Sequence, residues 1–423
     1  MRKICLTVVG MYLLLLHAFS QGTTKDTSGY QSKPLKVDEV NLVSSYYKQD
    51  GNHSPVTGGI GTEKVTDLSN GLELKFVGWD AHQRKNNLSF DFGIDHHTSA
   101  SSAYVSKSGA SKTGGTRLYP SVNWSIENEK KGTGFGLGAY YSTEYNYKSF
   151  GLDANFSKKT NNNGEFSAKL TGYFDKVKMI YPSELIPNSS TLTNSSDSTI
   201  YITTASGKTV ALSSGSSVTS SKSLIPSSPR NTYTASFSFS QVINTRLQAS
   251  ILLDLVYQSG YLGLPFHRVY FNDDSVHVEA LPSQRFKLPV GFRLNYFLGD
   301  NIILRSYYRF YVDNWGLTSH TASLEVPVKI TPFFSVSPFY RYYTQSAVKY
   351  FAGYEEHTAQ DQYYTSNYAL SAFSSQFFGL GIRLAPPKGV LGTGLNALEI
   401  RYGHYTQTTD LVSDVISVNL KFK

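Results

Sequence analysis

The chain has 423 residues, of which 17% are charged and 14% aromatic, with 31 Tyr against 3 Trp and a net charge of +8. The basic residues are spread singly, without a Lys/Arg-rich run or a nucleic-acid motif, so the positive balance does not argue for nucleic acid as a partner. Mean hydropathy is −0.27, and nothing after the first twenty residues is long and apolar enough for a membrane-spanning helix.

The start, "MRKICLTVVGMYLLLLHAFSQG", places Arg2 and Lys3 before an apolar run that ends at Ala18-Phe19-Ser20. This reads as a cleavable signal peptide over residues 1–20, and hence as export. Cys5 is the only cysteine. It would leave with the signal, so the mature chain would carry no thiol, disulfide or Cys-based metal site. Residues 21–39 are then a periplasmic N-terminal segment, and 40–423 the main body.

Period-2 alternation recurs along that body, and convincing helices are absent. Sixteen strands are predicted, at about 40–47, 71–79, 87–95, 117–126, 134–144, 149–157, 165–175, 232–241, 246–257, 285–297, 301–313, 319–329, 333–343, 368–384, 396–405 and 412–422. Most are near the nine to eleven residues a tilted strand needs to cross a bilayer. The links after even-numbered strands, such as "NEKKG", "TNNNG" and "LGDN", are tight turns with Asn, Gly or Pro chemistry. The links after odd-numbered strands include the long stretches 48–70, 96–116, 176–231, 258–284 and 344–367; only those near Asn146, Trp315 and Thr408 are short. A soluble sandwich has no reason to sort loop length by strand parity. A closed antiparallel transmembrane β-barrel does, with short periplasmic turns and long extracellular loops.

In that fold class the apolar rows face lipid. Tyr308, Phe310 and Val312 are one such row; Phe286, Leu288, Val290 and Phe292 are another. The opposite rows line the lumen: Arg285, Lys287, Arg293, Arg305, Arg309, Arg341 and Arg401, with Asp254, Asp313, Glu325 and Glu399 available to oppose them. Two roles are open to this set. Cross-strand ion pairs would fill the interior and fix register. An uncompensated arginine ladder would bias passage toward anions. The pairing role is the simpler expectation. Closure requires Val40–Tyr47 to pair with Val412–Phe422. The Ser/Thr-rich stretch within 176–231 has little to bury and reads as a flexible external loop, with a small hairpin expected at "TIYITTASGKTVAL".

Other candidate chemistry is thin. His267, Asp273, Asp274, His277 and Glu279 offer nitrogen and carboxylate ligands, but their spacing fits no defined metal motif. His96 and His97 are adjacent on a strand and point to opposite faces. Ser319-His320 fails as a nucleophile and base for the same reason, and Gly403-His404-Tyr405 is the nearest alternative. No catalytic residue, metal ligand or cofactor is assigned, and an outer-membrane hydrolase is the least favoured function.

The stretches "QSGYLGLPFHRVYFNDD", "EALPSQRFKLPVGFRLNYFL" and "YYRFYVDNWGLTSHT" carry Gly260, Tyr261, Leu262, Pro265, Arg268, Val269, Pro282, Arg285, Arg309, Asp313, Trp315, Gly316 and His320. With "YSTEYNYKSFG" and the tail "YGHYTQTTDLVSDVISVNLKFK", they resemble the uncharacterised bacterial outer-membrane family known as domain of unknown function 3570. The likeness spans nearly the whole mature chain, apart from the Ser/Thr-rich insert. It implies an exported outer-membrane barrel and supplies no activity and no catalytic residues. It also implies genes neighbouring small lipoproteins, thioredoxin-like proteins and a flavin-attaching enzyme, hence small lipoproteins or periplasmic redox proteins as partners. The final "VISVNLKFK" resembles the terminal strand read by the barrel-assembly machinery, though it ends in Lys423 rather than an aromatic. The expected functions are passage of small polar solutes through a charged lumen or, alternatively, a closed barrel that anchors envelope partners.

Overall fold

Alternating residues joined by tight turns leave every strand's N–H and C=O groups to its two neighbours, and all sixteen predicted strands form. The structure is a computed structural model that describes residues 30–98, 115–182, 185, 199–203, 209–213 and 226–423. The signal segment, Cys5 and most of the Ser/Thr-rich stretch lie outside the described residues. The strands are β1 (Lys33–Asp50), β2 (Val65–Trp79), β3 (Lys85–His97), β4 (Gly115–Asn128), β5 (Thr133–Thr143), β6 (Tyr147–Lys159), β7 (Gly164–Lys178) and β8 (Ser227–Asn244). They continue as β9 (Leu247–Gly260), β10 (Gln284–Leu298), β11 (Ile302–Asp313), β12 (Thr318–Glu325, resuming as Val328–Thr331), β13 (Phe334–Gln345), β14 (Phe373–Leu384), β15 (Leu395–Gln407) and β16 (Leu411–Phe422).

Each strand pairs antiparallel with its neighbours in sequence. The sheet closes through β1 and β16, in register from Val40↔Phe422 to Asp50↔Val412. No strand edge remains along that seam, as a hydrocarbon surrounding requires.

Three boundaries differ from expectation, each for a local reason. β1 begins at Lys33, because Lys33–Glu39 already pairs with β2 (Lys33↔Trp79, Glu39↔Lys75), so the N-terminal segment is shorter than 21–39. Strand 319–329 is interrupted at Val326-Pro327, where proline has no N–H to give the ladder. Strand 368–384 starts only at Phe373: Tyr368–Leu370 is a 3₁₀ turn, because the Asn367 side chain accepts the Ala369 N–H. The Ser/Thr-rich region carries the expected hairpin, Thr199–Thr203 against Thr209–Ser213.

The two faces of the sheet differ sharply. On one, large apolar side chains stand free, among them Leu170 (61% exposed), Ile251 (56%) and Phe92 (53%). On the other, Arg401 of β15 reaches Glu325 of β12 at 3.4 Å, past β13 and β14. Strands lie nearly 5 Å apart, so only side chains converging on a concave face can span that gap. The polar face is therefore the lumen, and the apolar face is the outside. Such an exterior suits lipid.

Apart from Val177 on β7, Val390 in the turn after β14 and Ala397 on β15, the well-buried apolar side chains lie elsewhere. Val56, Val269, Phe271, Trp315, Leu317 and Val348 all belong to the connections at the long-loop end. Segments 51–64, 261–283 and 346–372 pack there into one assembly over the rim of β10–β13.

Candidate functional site

Two features could serve a function, the lumen wall and the loop assembly at its mouth. The arginine-bearing wall is built on β10–β15. Arg305 lies 3.6 Å from Glu325. Arg401 bridges Glu325 at 3.4 Å and Glu399 at 3.2 Å. These four form one chain of ion pairs near the short-turn end. Among the described residues, Arg293 and Arg341 take no carboxylate. Their guanidinium groups lie over rings, Arg293 over Tyr307 at 5.8 Å and Arg341 over Phe377 at 4.9 Å. Such stacking holds a cation in place while leaving its charge unneutralised. Arg309 and Asp254 have no ion-pair partner among the described residues. A cavity of about 670 Å³ opens on this wall, lined by Arg293, Arg305, Tyr307, Arg341, Phe377 and Arg401 among others.

Glycines make room for the rings. A Cβ on Gly403 would come within 2.4 Å of the Phe377 ring, and one on Gly93 within 1.8 Å of Tyr119. Inward-facing glycine one strand away from an inward-facing aromatic residue is thus a sequence signal for rings lying flat against the wall.

The opposite wall, formed by β2–β7, carries charged and polar groups as well. Asp91 accepts from Ser121 (2.7 Å) and Asn123 (3.3 Å), and Tyr119 donates to Asp95 at 2.6 Å. Asn41 donates to Glu73 at 2.7 Å. Asp153 meets Lys169 at 3.4 Å, and Asp175 meets Arg230 at 3.5 Å. A second cavity, about 510 Å³, is lined there by Asp91, Arg117, Tyr119, Tyr140, Tyr173 and Asp175, among others.

Arg285 and Asp313 belong to the lip, not to the mid-lumen. Asp313, whose side chain is fully buried, accepts from the Arg285 Nε at 2.9 Å, the Tyr311 hydroxyl at 2.7 Å and the N–H groups of Trp315 and Leu317 at 3.0 and 3.1 Å. Arg285 stacks on Trp315 at 4.3 Å. The Trp315 indole N–H in turn donates to the Gln284 carbonyl at 2.9 Å. Lys287 lies one inward position below Arg285. Across the rim, the inward-facing Gln345 donates to the carbonyls of Ala369 (3.1 Å) and Ser371 (2.5 Å), tying segment 346–372 to β13.

The histidine and carboxylate residues of 261–283 serve this assembly. Glu279 accepts from the Thr365 hydroxyl at 2.6 Å and the Leu264 N–H at 2.9 Å, with His267 at 3.4 Å. His277 bonds Ser275 and packs on Phe271. Among the described residues no three His, Cys, Asp or Glu side chains converge as a metal site would need. Arg268 donates to the Val56 carbonyl at 2.8 Å, and His53 stacks on Tyr368 at 3.8 Å, so all three segments are joined.

Burial alone would raise the Glu279 pKa, but His267, the Thr365 hydroxyl and the Leu264 N–H outweigh it and hold the carboxyl below its ordinary 4.5. A depressed folded pKa stabilises the assembly above the ordinary value, and that contribution is lost as pH falls through the depressed one. Limited proteolysis within 346–372 is therefore expected to stay slow from pH 7 down to the ordinary carboxylate range and to accelerate only below it. Glu279→Gln should reduce that acid step, leaving the contribution of Asp361, whose carboxyl is also held low, by the Thr358 N–H and His357.

Ser319 faces the lumen and is buried, whereas His320 faces outward and bonds Tyr308 at 2.7 Å. His404 also faces outward, 2.8 Å from Asp414, which accepts from Tyr402 as well. Among the described residues, neither histidine has a serine or threonine hydroxyl as a hydrogen-bond partner.

A family model described as "Protein of unknown function (DUF3570)" matches residues 80–413. No curated protein matches the chain. Similar solved structures include Acinetobacter baumannii OccAB3, at 9% identity and TM-score 0.41, over 93% of this chain and 99% of that one. A BenF-like porin from Pseudomonas fluorescens matches at 8% and 0.40, over 91% and 98%. The outer membrane protein OprD from Pseudomonas aeruginosa matches at 9% and 0.41, over 92% and 93%.

Proposed function

The chain belongs to the family described as protein of unknown function (DUF3570), and on that premise we propose that it is an outer-membrane channel for small polar solutes. One observation carries this reading: among the described residues, no hydrogen bond or ion pair joins the lumen side chains of β2–β7 to those of β10–β15. Sixteen strands enclose more width than side chains can fill, and barrels of that size leave an aqueous channel. Charged walls that do not neutralise each other keep such a space wet.

A second reading has its own support. The packed loop assembly at the mouth would suit a closed barrel that anchors envelope partners, such as small lipoproteins or redox proteins. Planar-bilayer recording separates the two. Passage predicts steady single-channel current from the purified barrel. Silence from a folded, heat-modifiable barrel would sink passage and favour the anchor.

A further inference from the structure

We propose that the lumen is electrically polarised across its width and prefers dipolar solutes, small molecules that carry an ammonium and a carboxylate at opposite ends. The proposal rests on the channel reading and deepens it. In a ring of sixteen strands, the strand opposite any other lies eight places away, so β2 faces β10 and β3 faces β11. Near mid-strand, β2 presents Glu73 and β3 presents Asp91. Opposite them, β10 presents Arg293 and β11 presents Arg309, with Arg341 of β13 beside them.

What distinguishes these groups from the other lumen charges is how they are held. Glu73 and Asp91 are fixed by neutral donors, Asn41 for the first and Ser121 with Asn123 for the second. Arg293 and Arg341 are fixed by aromatic faces. Arg309 has no carboxylate partner among the described residues. By contrast Arg305, Arg401, Glu325 and Glu399 neutralise one another on one wall, and Lys169 neutralises Asp153 on the other. Among the described residues, the lumen charges without an ion-pair partner are therefore net negative on β2–β3, where Asp67, Glu73, Asp91 and Asp95 outnumber Lys75 and Lys85. They are net positive on β10–β13, with Asp254 of β9 alongside. Fixed charges of opposite sign on facing walls create a field across the pore, undiminished by local pairing. A zwitterion can turn its ammonium toward β2–β3 and its carboxylate toward β10–β13. An uncharged molecule of the same size gains nothing from that field.

Glycine and glycolamide are isomers, one zwitterionic and one uncharged, and so test this directly. In liposomes containing the full-length mature barrel, glycine is expected to drive swelling several-fold faster than glycolamide at low ionic strength, with the difference shrinking as salt is added. The double variants Glu73→Gln with Asp91→Asn, and Arg293→Gln with Arg309→Gln, should each bring the glycine-to-glycolamide ratio toward one. They should also move the salt-gradient reversal potential in opposite directions, the first toward anions and the second toward cations. Equal rates for the two isomers in the wild-type barrel would overturn the proposal while leaving passage intact. No swelling with either isomer would overturn the channel reading itself. If a double variant fails to assemble, the wild-type ratio and its salt dependence still decide the matter.

Discussion

Arginine in place of Leu170 is expected to destabilise the barrel in a phospholipid bilayer by about 2–4 kcal/mol. Leu170 sits midway along β7, paired with Ala154 on one side and Ala235 on the other, and it is 61% exposed on the apolar face. In water such a leucine would be a liability; in hydrocarbon it is at home, and a guanidinium there must snorkel or drag water inward. Thr171, the next residue, points into the lumen. Thr171→Arg should cost well under ~1 kcal/mol, since lumen substitutions change selectivity more than stability. Urea titration of both variants folded into vesicles measures the difference. Equal costs would mean that the two faces have been assigned the wrong way round, or that neither meets lipid.

The second large effect belongs to the lip. Asp313→Ala would strand the Arg285 guanidinium, whose side chain is 11% exposed, and orphan the N–H groups of Trp315 and Leu317. Breaking a buried ion pair from one side typically costs about 3–5 kcal/mol. Much of that loss should appear locally, because Trp315, Leu317 and Val348 form the apolar core of the loop assembly, with Leu262 and Leu370 packed against it. Hydrogen exchange should therefore accelerate in 314–317 and 346–372, while the β1–β16 seam stays protected. Asp313→Asn retains an acceptor for the N–H groups but not the charge, and should fall between the two. Unchanged exchange in both segments after Asp313→Ala would show that the loops are held by packing alone.

Most of the barrel was legible from period-2 alternation, because a strand between two neighbours in a closed sheet has only two environments, and each residue's polarity reports its own. Turn chemistry and loop-length parity then ordered the strands. The boundaries that failed did so where a single contact overrides periodicity: Asn367 capping the turn before β14, Pro327 interrupting β12, and Lys33–Glu39 finding partners on β2.

The charged site was legible only in part. Inward phase identified Arg293, Arg309 and Arg341 as readily as Arg305 and Arg401, but phase says nothing about partners. Which guanidinium meets a carboxylate depends on contacts between strands far apart in sequence, as when Arg401 reaches Glu325. The carboxylates of β2 and β3 were visible as residues and invisible as a facing wall, because opposition exists only once the ring has closed. The loop assembly was hidden for a similar reason. Its buried Glu279, Thr365 and Arg268 look like ordinary loop polarity until three distant segments meet. Local alternation thus determined strand, phase and membrane face, since those depend on neighbours along the chain and the solvent each side meets. Closure of the sheet decided which charges stay unpaired and which stand opposite one another, because electrostatic pairing depends on distance through space.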